Sequence, residues 1–242
     1  MPLKADWNTH LRAIRLRETE LVFCRCPDGA FDPDYQRSIL AGVASPRLTF
    51  QACDAERADE SFPAGSFDLV FSSNLLEHVS DVQRALAATR TLLAPGGLAI
   101  HIMPGVEWKL AQLALHYPNL LALMLDRLRG PKPAARPQEE RPNNAKQPER
   151  LSRWKLLWPQ PHGVSRTNLG ELIAFRRARW LREFSKAGLE LIAALPGPVS
   201  SGYGFGFDRL RARLERAGIS AETAYVVARP GEATNARAWF AA

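Results

Sequence analysis

A chain of 242 residues with 46% hydrophobic and 24% charged side chains has the composition of a globular domain able to bury a sizeable core, with room for one insertion. Met1–Glu20 is too polar for a signal peptide, and no run approaches the ~20 apolar residues of a membrane span, so a cytoplasmic chain is expected. The formal charge of +7 is local: Arg129–Pro161 carries +5 and Asn168–Lys186 carries +3, which leaves the remainder near −1 and argues against a nucleic-acid partner.

In chain order, Trp7–Glu20 is predicted as a helix with Trp7, Leu11 and Ile14 on one side. Leu21–Cys26 reads as a strand ending at the turn Pro27-Asp28-Gly29, and Pro33–Val43 reads as a helix. Leu48–Cys53 is the next strand, halted at Asp54. Phe67–Ser72 follows, apolar enough for a strand covered on both faces. Ser80 or Asp81 can cap a helix whose buried face holds Val82, Leu86 and Leu93. Pro95-Gly96-Gly97 ends that helix and Leu98–Met103 is another strand.

After Pro104 the alternation breaks. Val106–Leu128 reads as helical, and Arg129–Pro161 holds seven of the 18 prolines, as an extended linker would. A single helix over Leu169–Ala187, a strand over Leu189–Leu195, a helix over Phe207–Ala217 and a strand over Ala224–Ala228 complete the chain. Strands alternating with helices predict an α/β, doubly wound, mostly parallel sheet. The chain divides into a core over residues 1–103, a helical and basic Pro-rich insertion over 104–167, and the rest of the core over 168–242.

Cys24, Cys26 and Cys53 are too few for a disulfide framework and read as buried thiols. No metal site is expected from their spacing. Asp54 and Ser73-Asn74 fall where strands end, the edge at which open α/β sheets bind ligands. A carboxylate there accepts hydrogen bonds from an amine or a ribose hydroxyl. Asp68 reads as a structural carboxylate at a strand start, while Glu77 and His78 read as capping or orienting the next helix.

The run Cys53-Asp54-Ala55-Glu56, then Ser61–Gly65, Ser66-Phe67-Asp68-Leu69-Val70 and Leu76-Glu77-His78-Val79, resembles the type-11 domain of class I S-adenosylmethionine-dependent methyltransferases. Pro95-Gly96-Gly97 before Leu98–Met103 matches the same family, and the helix from Leu169 onward follows it loosely. The resemblance implies the Rossmann-like methyltransferase fold and S-adenosyl-L-methionine as cofactor. It implies that Asp54 and Ala55 flank the adenine and that Ser72, Ser73 and Asn74 line the pocket, with Leu75 and His78 as lesser neighbours. No catalytic residue is assigned by it. His78 and His162 are the two candidates, since a histidine can act as general base, although many methyl transfers need only alignment.

The family's glycine-rich loop, E/D-x-G-x-G-x-G, is not found. Counting strands back from Asp54 makes Leu21–Cys26 the second strand and places the loop upstream of Met1, so an N-terminally incomplete core is expected. Either the chain is shortened or it is a degenerate domain with weakened cofactor binding. In a third reading Leu21–Cys26 is the first strand and Pro27-Asp28-Gly29 a worn loop.

Two function classes follow. One is methyl transfer from S-adenosyl-L-methionine to a small-molecule or glycan-type acceptor. The other is an inactive scaffold that binds a partner. Trp154 and Trp158 beside Arg153 and Lys155 also give the insertion the composition of a peripheral membrane contact.

Overall fold

The computed structural model describes residues 21–25, 48–128, 158–197, 200 and 208–232. The helices expected at Trp7–Glu20 and Pro33–Val43, the turn at Pro27-Asp28-Gly29, Trp154 and nearly all of the Pro-rich linker lie outside the described residues.

Strand β1 (Leu21–Arg25) pairs in parallel with β2 (Leu48–Asp54) as a two-stranded sheet. A 3₁₀ turn (Ala55–Arg57) and the short helix α1 (Ala58–Ser61) follow β2, and β3 (Phe67–Ser73) begins a second sheet. Helix α2 (Val82–Leu92), strand β4 (Leu93–Pro104) and the long helix α3 (Val106–Leu128) come next. The chain ends with α4 (Asn168–Ala174), α5 (Arg177–Lys186), β5 (Glu190–Pro196), α6 (Asp208–Arg216) and β6 (Glu222–Ala228). The second sheet has the order β3-β4-β6-β5. β3 and β4 run parallel, while β6 lies between β4 and β5 and runs antiparallel to both.

This arrangement is the expected α/β class with a reversed strand in the middle, and the reversal matters for the site. Because β6 is antiparallel, its first residue, Glu222, pairs with the last residue of β4, Pro104. The carboxyl ends of β3 and β4 and the amino end of β6 therefore share one edge.

β4 is the strand covered on both faces. Ala99, His101 and Met103 point to one side, and Leu98, Ile100 and Ile102 to the other, all at most 5% exposed. The first face is closed by Leu86 of α2 and by Trp180 and Phe184 of α5. The second joins Ala224, Val226 and Ala228 of β6. Burying each large apolar side chain contributes about 1.5–3 kcal/mol. β3 departs from the expectation that it is covered on both faces. It is an edge strand of its sheet, and Phe71 is 56% exposed.

Three other expectations are corrected. The helix expected over Leu169–Ala187 is two helices, because Arg176 adopts an extended conformation (φ −63°, ψ 130°). The break lets Phe175 pack with Trp108 and Ala221 while Trp180 packs in the main core. Pro95-Gly96-Gly97 forms a bulge inside β4 rather than a terminator after α2. The register jumps from Phe67↔Leu93 to Leu69↔Leu98, and Gly96 takes φ 76°. Cys53 is buried as expected, yet it is disulfide-bonded rather than a thiol.

Asp81 supplies the α2 cap, its side chain accepting from the Arg84 N–H at 3.0 Å. Glu56 holds that turn from outside, accepting from the backbone N–H groups of Ser80 (2.7 Å) and Asp81 (2.9 Å). Among the described residues no helix is long and apolar enough to cross a membrane.

Candidate functional site

Of the residues singled out in the sequence, Ser72 and Ser73 close β3 at the shared edge with Asn74 next in the chain, while Asp54 closes β2 of the other sheet. Asp54 ends β2 with extended dihedrals, and its Oδ1 accepts from the Glu56 N–H at 2.9 Å. Ala55, next in the chain, is buried in the main core, and Leu75 packs against that same core. Ala55 and Leu75, twenty residues apart in sequence, thus share one hydrophobic cluster.

Ser72 and Asn74 are engaged by partners that sequence alone does not reveal. The Ser72 hydroxyl is 2.7 Å from His101 Nδ1, and both groups are buried. Burial pushes the His101 imidazole down to about 4. Ser73 is exposed between them. Asn74 has φ 50°, a left-handed conformation that asparagine tolerates better than most residues. Its backbone N–H donates to the Ile102 carbonyl (2.9 Å), and its Nδ2 donates to Glu222 Oε1 (3.1 Å). The Asn74 Oδ1 is buried with no hydrogen-bond partner among the described residues.

The histidines that lie 84 residues apart in sequence meet in space. His78 Nε2 and His162 Nε2 are 3.2 Å apart, and their rings pack edge to face at 4.7 Å between centroids. Glu77 Oε1 lies 3.8 Å from the first nitrogen and 3.9 Å from the second. Glu77 is not a cap. Its side chain is 1% exposed, neither carboxylate oxygen has a hydrogen-bond partner among the described residues, and burial pushes its carboxyl up to about 8, with the charges of Glu222 and Glu171 adding to the effect. The His162 imidazole is lowered by burial and then by the neighbouring His78.

The loop bearing His162 is fixed by a group the sequence hides. Glu171 accepts from the backbone N–H of His162 and, at 2.5 Å, from that of Gly163. Its other oxygen is 2.5 Å from Lys109 Nζ, and both side chains are fully buried. Lys109 also donates to Gln112 Oε1 (2.6 Å) and to the Gln160 carbonyl (3.3 Å). Trp108 stacks at an angle on His162, 4.7 Å between centroids. On the far side, the Val164 N–H donates to the Glu77 carbonyl at 3.1 Å. Gly163 is required there, since a Cβ would lie 2.6 Å from the Glu77 carbonyl oxygen.

Glu171 escaped notice because an acidic residue in a first helical turn is ordinary dipole chemistry. Thr167 caps α4, accepting from Gly170 N–H, so the sequence pattern is already explained without a buried role for Glu171. Beside the loop, a cleft of about 210 Å³ runs from Leu76 and Glu77 past Gly163 to Phe175 and Arg179. Its walls are mainly apolar, and Glu77 is among the residues that line it. Asp68, by contrast, is exposed on β3 and takes no part.

A family model described as a methyltransferase domain matches residues 29–194. Polyketide synthase 19 of Gibberella fujikuroi is 33% identical over 91 residues, which is 37% of this chain and 4% of that protein. A reducing polyketide synthase from a Penicillium species is 40% identical over 60 residues, 24% of this chain and 2% of that protein. The chain therefore spans a small fraction of these curated relatives. Among solved structures, an S-adenosylmethionine-dependent methyltransferase from Mesorhizobium loti superposes with TM-score 0.47 at 17% identity, over 93% of this chain and 98% of that one. The carbon methyltransferase of CurJ superposes with TM-score 0.45 at 18% identity, over 88% of this chain and 43% of that one.

Proposed function

This chain belongs to the methyltransferase domain family, and on that premise we propose that it moves a methyl group from S-adenosyl-L-methionine to a small-molecule acceptor held in the cleft beside Glu77. The observation that carries the reading is the family match over residues 29–194, with Asp54 at the end of β2 and Asn74 just past the end of β3.

The residues present suit the cofactor. The Asp54 cap uses Oδ1, leaving Oδ2 for a donor such as an adenine amine or a ribose hydroxyl. The orphaned Asn74 Oδ1 is a buried acceptor just past the end of β3. When bound, S-adenosyl-L-methionine supplies an electrophilic methyl group on a sulfonium. Asp54 and Ala55 hold the adenine side, and Ser73, Asn74 and Leu75 face the middle of the cofactor. Ser72 acts from beneath, fixing the strand end through His101. Loop 158–164 closes the acceptor side, bringing His162 against His78, and excludes water from the line of transfer. The polyketide synthase relatives support a polyketide-type small molecule over a glycan-type hydroxyl as acceptor.

Calorimetry of the full chain with S-adenosyl-L-methionine tests the reading. Saturable binding is expected, weakened at least about tenfold by Asp54→Ala, a loss of some 1.4 kcal/mol. A flat titration of the unsubstituted chain would overturn it.

A further inference from the structure

We propose that Glu77, His78 and His162 form a binding site for one divalent transition-metal ion of the zinc type, a site that stands apart from the methyl-transfer reading. Three donor atoms converge: Glu77 Oε1, His78 Nε2 and His162 Nε2 are separated by 3.8, 3.9 and 3.2 Å. The circle through three points at those separations has a radius of about 2.1 Å, and zinc binds imidazole nitrogen and carboxylate oxygen at about 2.0–2.2 Å. A cation at the centre would reach all three donors with the side chains where they stand.

The surroundings favour positive charge. Glu77 is withdrawn from solvent, and both of its oxygens lack a hydrogen-bond partner among the described residues. A buried carboxyl without a hydrogen-bond partner is an unsatisfied polar group, and a cation would satisfy it. Lys109 does not supply one, since its ammonium is committed to Glu171, Gln112 and Gln160.

The donors are also held from behind, as metal ligands usually are. The backbone of His162 is fixed by Glu171, its ring is backed by Trp108, and the Glu77 backbone is tied to Val164. Two imidazoles and one carboxylate match zinc-type ions better than the oxygen cages of calcium or magnesium. Three protein ligands leave at least one coordination position for a water or an oxygen of a bound molecule. In that role the two histidines are ligands rather than proton acceptors.

The test uses the full 242-residue chain, stripped with a chelator and titrated with Co²⁺ while the visible spectrum is followed, then with Zn²⁺ by calorimetry. One equivalent should bind, giving Co²⁺ ligand-field bands. His78→Ala, His162→Ala and Glu77→Gln should each weaken binding at least about tenfold, the size of loss expected for a lost ligand. A His116→Ala variant, altered at another possible donor, should bind as the unsubstituted chain does. Circular dichroism melts confirm that each variant is folded, and the Glu77→Asn/His78→Asn pair serves if an alanine variant does not fold. No bound ion in the stripped and reloaded chain, or equal binding by the three ligand variants, overturns the site. S-adenosyl-L-methionine titrations of the same samples separate the two readings. Metal binding without cofactor binding sinks the proposed function alone, and the reverse sinks the metal site alone.

Discussion

Asn74 and Glu222, 148 residues apart in the chain, are joined by a 3.1 Å hydrogen bond across the edge of the sheet where β3 ends and β6 begins. The bond ties a residue in a left-handed turn to a buried carboxylate on the one strand that runs against its neighbours. Glu222→Ala should release the Asn74 side chain without emptying the core. The expected result is a loss of S-adenosyl-L-methionine affinity of about tenfold, in line with one hydrogen bond to a charged group. Calorimetry on the variant would show it, and an unchanged affinity would mean that the turn holds itself.

The Lys109–Glu171 pair is fully buried, so removing one partner strands the other. Lys109→Met should destabilise the chain by about 3–5 kcal/mol, whereas Lys109→Met/Glu171→Leu should recover much of that loss. Urea unfolding of the two single variants and the double gives the coupling directly. Additive losses would show that the pair is not a unit.

Acid should weaken the fold through His101. Its imidazole sits at about 4 when folded against 6.5 when free, so the native state refuses a proton that the unfolded state takes up. Stability is therefore whole above pH 6.5 and declines as the pH falls toward 4, with a total of about 3 kcal/mol at stake. His101→Gln should flatten that part of the stability curve, read from melts between pH 7 and pH 4. A slope identical to that of the unsubstituted chain would place the acid sensitivity elsewhere.

Gly163→Ala would place a methyl group 2.6 Å from the Glu77 carbonyl oxygen, well inside contact distance. The loop must retreat, and the cost expected for such overpacking is about 1–3 kcal/mol. Trypsin should then cut faster at Arg166, which follows the loop, while the core melts nearly as before. Cleavage at the original rate would show that the loop accommodates the methyl group.

Much of the core was legible because its residues carry their own punctuation. Asp81 caps α2, Leu86 and Leu93 are buried, and Asp54 stands at the end of β2, all as local patterning indicates. The direction of β6 was not legible, since a short apolar strand reads the same whichever way it runs. The split at Arg176 was hidden too, because every residue from Leu169 to Ala187 is compatible with helix and only the separate burial of Phe175 and Trp180 forces the break. His78 and His162 were recognisable as candidates singly. Their meeting depends on Lys109 and Glu171, a pair whose burial has no periodic signature.

The extended Arg176 also divides labour along what would otherwise be a single rod. α4 carries Glu171, which aims the His162 loop, and α5 carries Trp180 and Phe184, which seal the sheet. Substitutions on α4 that spare Glu171 can re-aim the His162 loop while α5 keeps the sheet covered.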